Sequence, residues 1–391
     1  MDGASGWPLP DRGGRTTLEL AQTPNLDRMA REGFVGMVRT VPPGMEPSSA
    51  CACMSVLGYD PRVYYGGRSG IEAISMGVQV ADGDATFRCN LVTVGGDRMQ
   101  SYCAGHISTA EGRELILAID AELGSGDVRF YPGVNYRHIC KLANGVDSLQ
   151  SVCTPPHDIP GKRIGDFLPK GPGSELLRSL MSRSEAILRG HDINRNRIER
   201  GELPASMIWL FWGSGKMPAI PSFTNKYGIT AGMTSAVDLL RGLAIMAHID
   251  VLEIPGVTDG LDNDFSGQMS GAMRALEEHD MVIVHVEAPD EAGHAASAGD
   301  KIEAIERIDR DMAAPLVDMG VKDMKVMVLP DHPTPIAIQT HSPEPVPFLL
   351  WGSAFTASGV RRYTEAEAKM TGVFVENGHT LIDWLLLEEP Q

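Results

Sequence analysis

The chain has 391 residues, 43% of them hydrophobic, which is long for one ordinary core and sufficient to fill two. Asp and Glu number 51 against 34 Lys and Arg, a formal charge of -17, which argues against a general polyanion-binding surface and against nucleic acid as a partner. The apolar runs fall far short of the roughly 20 residues of a membrane span, no charged-then-apolar leader opens the chain, and the six cysteines form no CxxC pair. The expectation is a cytoplasmic protein with reduced thiols and no membrane partner.

Met1 is followed at once by Asp2-Gly3-Ala4-Ser5-Gly6, a loop of the kind that follows a strand, with no strand before it. This predicts a short apolar strand upstream of Met1 in the natural polypeptide. Thr23-Pro24-Asn25-Leu26-Asp27 starts a helix, with Thr23 as N-cap and Pro24 in the first turn. From about residue 84 to 218 the pattern changes: a strand candidate at 87–94, Pro-rich joints at 154–160 and 169–172, and a helix at 174–188. Gly and Pro cluster again at 213–221, so 84–218 reads as a domain inserted into one built from 1–83 and 219–391.

Beyond the insertion, apolar runs at 281–286, 325–329 and 346–351 each end in a polar cluster and predict buried parallel strands. Helical patterns at 235–247, 267–278 and 300–319 alternate with them, which predicts a doubly wound α/β sheet. Ligands of such sheets gather at the carboxyl ends of strands, where Asp290, Asp331 and His332 stand. Asp290 and His294, spaced i, i+4, point the same way in a helical turn and suit one metal ion. Asp331 and His332 diverge and can reach two ions, His341 follows nine residues later, and Asp2 offers another carboxylate. Taken singly, an Asp-x-x-x-His is usually helix decoration and an Asp-His pair a loop cap. Their joint placement after apolar runs favours a mixed carboxylate and imidazole site for Mn²⁺ or Zn²⁺ over structural zinc.

The segment Val41-Pro42-Pro43-Gly44-Met45-Glu46-Pro47-Ser48-Ser49-Ala50-Cys51 and its continuation to Pro61 resemble the nucleophile segment of archaeal-type cofactor-independent phosphoglycerate mutases, in the alkaline phosphatase superfamily. The resemblance includes the Thr23 to Asp27 helix start, Gly67-Arg68-Ser69, Glu72-Ala73, Phe87-Arg88-Cys89-Asn90 and Ala104-Gly105-His106-Ile107-Ser108. It continues through Tyr136-Arg137-His138, Lys226-Tyr227-Gly228 and Ser235-Ala236-Val237-Asp238, over nearly the whole chain. It implies an alkaline-phosphatase-like doubly wound sheet with an inserted α+β lid domain, and Ser49 as nucleophile. One divalent ion would be held by Asp290, His294 and His341, the other by Asp2, Ser49, Asp331 and His332, the metal being Mn²⁺, Zn²⁺ or Co²⁺. Arg88, Arg137, His138 and Lys226 match substrate-contact positions for a small phosphorylated metabolite, and a homo-oligomer is compatible with the family. The implied reaction interconverts 3- and 2-phosphoglycerate through a phosphoserine.

The chain departs from the family where Ala50 replaces an acidic residue and where Cys51 and Cys53 replace commoner small or amide residues. These departures leave a homoserine kinase-like phosphotransferase or a phosphomonoester hydrolase as alternatives. A non-catalytic binding relative is opposed by the seven retained ligands.

Overall fold

The computed structural model describes residues 1–320 and 324–386. The chain divides into two units, Met1–Tyr65 with Ala219–Gln391, and Gly66–Pro218. Strand β1 (Phe34–Val38) belongs to the first unit; β2 (Ala85–Gly95), β3 (Arg98–Ser101), β4 (Val128–Tyr131), β5 (Arg137–Leu142) and β6 (Met207–Ser214) lie in the inserted one. The first unit resumes with β7 (Ala231–Thr234), β8 (Asp250–Val251), β9 (Met281–Val284), β10 (Val326–Val328), β11 (Val346–Trp351) and β12 (Phe374–Val375).

The strands of the first unit form two sheets. One, ordered β8-β7-β9, is parallel throughout. The other, ordered β10-β11-β1-β12, is mixed: β12 runs parallel to β1, whereas β11 is antiparallel to both β10 and β1. The expectation of a parallel strand at 346–351 is therefore corrected. Residues 329–345 contain no helix to carry the chain back across the sheet, so the chain turns and returns alongside.

Successive side chains alternate between sheet faces, and both faces of this mixed sheet are covered. Val35, Met37, Leu349 and Trp351 pack with Leu26, Met29 and Ile305, while Val38, Phe348 and Leu350 pack with Leu381 and Leu385. Each such buried side chain contributes about 1.5–3 kcal/mol.

The helix expected over 300–319 is divided into Ala298–Ile308 and Ala314–Met319 by a π turn, Asp309–Ala313. Pro315 has no N–H to bond back one turn, and the wider turn accommodates that loss. Within the turn, Asp309 Oδ1 accepts hydrogen bonds from Asn25 N at 3.0 Å and Leu26 N at 2.7 Å. It thereby caps the helix Pro24–Glu32, in place of Thr23, whose side chain makes no cap bond.

In the inserted unit the long β2 pairs antiparallel with β3, β5 and β6, and β4 extends the sheet beyond β5. Helices Thr109–Leu123 and Ser174–Gly190 cover one face, where Ile116, Ile119, Leu177 and Leu180 meet Phe87, Cys89 and Leu91. The unit starts at Gly66, before the expected residue 84, because helix Arg68–Ser75 places Ala73 against Val78 and Ile139 of β5. Among the described residues no helix is long and apolar enough to cross a membrane.

Replacing Asp309 by Ala leaves two helix-start amides without their acceptor and should lower the unfolding free energy by about 1–2 kcal/mol. A urea-unfolding midpoint equal to that of the parent would return the capping role to Thr23.

Candidate metal centre

Three chain segments deliver ionisable groups to one buried region of the first unit: the amino-terminal loop, the residues after β9 and the residues after β10. Asp2, Asp290, Asp331 and His332 are all at most 5% exposed. Gly3 adopts φ +56°, which directs its N–H to Asp331 Oδ1 at 3.0 Å. A Cβ there would fall 2.4 Å from Asp290 Oδ1, so the loop approaches the site only as glycine. Gly293 is equally constrained, since its Cβ would meet Thr334 Cγ2 at 2.7 Å.

Asp290 and His294 lie at the two ends of one short helix, Ala288–His294. His294 Nε2 is 3.0 Å from Asp290 Oδ2, and His341 Nε2 is 3.7 Å from Asp290 Oδ1. His294 Nδ1 donates to Gln339 O at 2.9 Å and His341 Nδ1 to Pro47 O at 3.2 Å. With both Nδ1 atoms donating, the two Nε2 atoms face each other at 3.0 Å and turn toward Asp290, so the space between them is one that a proton or a metal ion can occupy.

The second group centres on His332 Nε2. Ser49 Oγ lies 3.2 Å away, Asp331 Oδ2 3.3 Å and Asp2 Oδ1 3.5 Å. The two groups adjoin, because the His332 and His341 rings are 4.1 Å apart between centroids. Thr334 Oγ1 hydrogen-bonds Asp290 Oδ1 and also approaches His332 Nδ1 at 3.3 Å.

His285 and Glu287, absent from the sequence-derived set, join the region. They follow β9 at alternate positions, so both point to one side. His285 Nε2 is 2.8 Å from Asp2 Oδ2 and 3.5 Å from Glu287 Oε2, and its Nδ1 is 2.9 Å from Ser235 Oγ. The signal in the sequence was the His-x-Glu spacing inside an otherwise apolar run.

Charge balance describes what the region can hold. Burial, then Asp331 and Glu287, raises the Asp2 carboxyl well above its usual range, and burial followed by Asp290 lifts Glu287 to about 8. Burial opposes ionisation of Asp290 too, but His294 and His341 outweigh it and hold that carboxyl low. The buried Lys301, whose Nζ donates to Ser5 O at 3.0 Å and Thr334 O at 2.7 Å, is a nearby cation. Asp2 Oδ1 and Glu287 Oε2 are buried without a hydrogen-bond partner. Facing imidazole Nε2 atoms and orphaned carboxylate oxygens are what divalent cations satisfy, and the Asp, His and Ser donor set suits Mn²⁺, Zn²⁺ or Co²⁺.

Ser49 opens the helix Ser49–Val56, which Ser48 caps by accepting from Cys51 N, so the hydroxyl stands at the positive end of the helix. Ser55 Oγ donates to Thr40 O at 2.6 Å, and Thr40 Oγ1 donates to Asp331 O at 2.5 Å. This relay ties the serine helix to the end of β10.

A family model described as 2,3-bisphosphoglycerate-independent phosphoglycerate mutase matches residues 30–194. A probable 2,3-bisphosphoglycerate-independent phosphoglycerate mutase of Geobacter sulfurreducens is 46% identical, with 98% of each chain covered. The chain belongs to this family. A solved cofactor-independent phosphoglycerate mutase of Thermoplasma acidophilum is 26% identical with a TM-score of 0.62, covering 98% of this chain and 96% of its own. A protein structure from Pyrococcus horikoshii superposes with a TM-score of 0.82 at 24% identity over 100% of this chain and 96% of its own, which shows a shared fold.

The inserted unit of this family member gathers arginines. Arg88 Nη1 and Arg68 Nε both bond Glu72 Oε1 at 2.8 Å, and Arg88 is buried. Desolvation lowers Arg88 to about 10, so it stays cationic at neutral pH. Arg137 is paired across the sheet with Asn90, which puts it on the Arg88 side. His138 pairs with Cys89 and turns to the opposite face, toward Gly112, so it does not join the arginines. Burial lowers His138 to about 3, and Gly133 N donates to its Nδ1 at 3.1 Å. In the first unit, Lys226 Nζ bonds Gly58 O and lies 4.8 Å from the Tyr59 ring centroid and 4.9 Å from that of Tyr227.

Cys51 and Cys53 are buried free thiols. Burial pushes Cys51 up to about 12 and Cys53 well above its ordinary value, with Asp331 and Asp2 adding to the Cys53 shift. Neither is a thiolate at neutral pH. Brief alkylation of the native protein followed by peptide mass analysis should label the partly exposed Cys153 before either of them. Preferential labelling of Cys51 or Cys53 would overturn their assignment as buried, unreactive thiols.

Proposed function

We propose that the chain interconverts 3-phosphoglycerate and 2-phosphoglycerate through a phosphoserine at Ser49, with two divalent ions at the buried centre. The observation that carries this reading is the convergence of Ser49 Oγ, Asp331 Oδ2 and Asp2 Oδ1 on His332 Nε2 within 3.2–3.5 Å. It puts a nucleophile beside the Asp290, His294 and His341 group.

In this reading Asp290, His294 and His341 hold one ion, and Asp2, Ser49, Asp331 and His332 hold the other. Bound there, Mn²⁺, Zn²⁺ or Co²⁺ would lower the pKa of the serine hydroxyl and offset the charge of the transferring phosphoryl group. Ser49 Oγ gives up its proton and attacks phosphorus, the P–O bond to one glycerate oxygen breaks, and that oxygen takes up a proton, so none is gained or lost overall. The other glycerate hydroxyl then loses its proton and attacks the phosphoserine, the P–Oγ bond breaks, and Ser49 Oγ regains a proton. Arg88 and Arg137 are the groups best suited to forked recognition of carboxylate or phosphate, with Lys226 as a further cation. The fold is assigned as the alkaline-phosphatase-like doubly wound sheet with residues 66–218 inserted as its substrate-binding unit, and the buried free thiols fit a cytoplasmic location.

A chelator should abolish 3-phosphoglycerate conversion, and Mn²⁺, Zn²⁺ or Co²⁺ should restore it. Full turnover at near-zero metal content would refute the two-ion reading. Assaying ATP-dependent homoserine phosphorylation and phosphate release on the same preparation separates the kinase and hydrolase alternatives.

Ser49→Ala should reduce turnover by several orders of magnitude, because it removes both the nucleophile and a metal donor. Folding stability should change by only about 1 kcal/mol. Near-normal turnover of this variant, measured beside its unfolding curve, would exclude serine as the phosphoryl carrier.

A further inference from the structure

Each carboxylate of the metal centre has one oxygen held by a protein donor and the other turned to the cation region. Asp331 Oδ1 accepts from Gly3 N at 3.0 Å and His332 N at 2.8 Å, which leaves Oδ2 beside His332 Nε2. Asp290 Oδ1 accepts from Thr334 Oγ1, while its Oδ2 faces His294 Nε2. For Asp2 the held oxygen is Oδ2, 2.8 Å from His285 Nε2, and Oδ1 is buried with no hydrogen-bond partner, 3.5 Å from His332 Nε2. Unlike His294, His332 and His341, His285 belongs to neither ligand group.

The ring is fixed from behind. Ser235 and His285 directly follow the adjacent parallel strands β7 and β9, so they meet at the carboxyl edge of that sheet. His285 N donates to Thr234 O at 3.0 Å, and His285 O accepts from Gln268 Nε2 at 2.9 Å, with Gln268 Oε1 in turn accepting from Asn263 Nδ2 at 2.9 Å. At the ring, Nδ1 lies 2.9 Å from Ser235 Oγ, which already accepts from Val237 N at 3.1 Å. A hydroxyl so occupied has its own proton left to donate to Nδ1, and a neutral ring that accepts at Nδ1 carries its proton at Nε2. That proton faces Asp2 Oδ2, and an ionised carboxylate only accepts. Glu287 Oε2 is 3.5 Å from the same nitrogen, a longer and weaker contact.

We propose that His285, with Ser235 behind it, is the positioning residue of Asp2: its Nε2–H holds Oδ2, and Oδ1 alone is presented to the ion shared with Ser49, Asp331 and His332. This rests on the two-ion reading above. Asp2 depends on such a partner because it sits in a loop, where Asp2 N donates to Val286 O at 2.8 Å and Gly3 N to Asp331 Oδ1. Those bonds fix the backbone but leave the carboxylate torsion, which is broad for Asp, undetermined. The bond to His285 determines it. A partner that orients a ligand in this way sets how well the ion is held without touching the ion itself.

The test is Co²⁺ titration of the chelator-treated full chain, followed by the visible absorption of the bound ion and by competition with a chelator. The parent should take up two ions. His285→Ala should bind the ion of the Asp2 group about 10–100-fold more weakly and leave the ion of the Asp290 group unchanged. The same loss should persist in a His294→Ala background, where the other ion is already weakened. His285→Gln, whose side-chain amide places an N–H near the position of Nε2, should recover most of the affinity. Equal affinities with and without His285, or an equal loss at both ions that Gln does not recover, would overturn the inference. If the alanine variant does not fold, Ser235→Ala reads the same coupling: a loss confined to the Asp2 group supports it, and unaltered binding overturns it. A parent that takes up fewer than two ions at saturating Co²⁺ would refute the two-ion reading and this inference with it, whereas two ions bound equally well without His285 refute this inference alone.

Discussion

The structure of the first unit depends on holding like charges together out of water. Asp2, Glu287, Asp290 and Asp331 are each at most 9% exposed, and Lys301 is a buried cation among the groups that bear on them. Such an arrangement is unfavourable unless protons or bound cations offset it. The fold answers partly with imidazoles, since His294 and His341 keep Asp290 ionised, and partly with backbone amides, since Gly3 and His332 both donate to Asp331 Oδ1. The remaining imbalance is the chemical basis for cation binding. Two glycines without room for a methyl group allow the backbone to come close enough for this to happen.

The same constraint explains why the serine helix is bound so tightly to the rest of the site. Seven of its eight residues are buried, and the Ser55 to Thr40 to Asp331 hydrogen-bond relay fixes the helix to the strand end that supplies Asp331 and His332. In the proposed reaction a hydroxyl at the positive end of a helix, held 3.2 Å from an imidazole, would need little rearrangement before it attacks. Ala50, Cys51 and Cys53 are buried in the same helix, and Cys53 Sγ donates to Asp331 Oδ2 at 3.5 Å.

Legibility in the sequence followed the distance over which each feature is determined. The placement of Asp290 with His294 is a property of one helical turn, and the polar residues after the apolar runs mark strand ends by local pattern. His285 and Glu287 were hidden because alternate polar residues within an apolar run look like strand decoration until a neighbour such as Asp2 is known. The capping of Pro24–Glu32 was misread for a similar reason, as the acceptor is Asp309, 284 residues from Asn25. The direction of β11 and the facing of His138 depend on strand register, which no local window contains. The border at Gly66 escaped because an amphipathic helix does not announce which sheet it will cover.

The hydrogen bond from Gly3 N to Asp331 Oδ1 joins residues 328 positions apart, and that from His285 to Asp2 spans 283. Contacts of such separation are paid for in loop-closure entropy before they return anything, and they form late in folding. During synthesis Asp2 and the serine helix emerge early, but Asp290, His294, Asp331, His332 and His341 are not yet translated. The nascent chain therefore cannot assemble a competent centre piecemeal, and cation uptake becomes a report on completed folding rather than a guide to it.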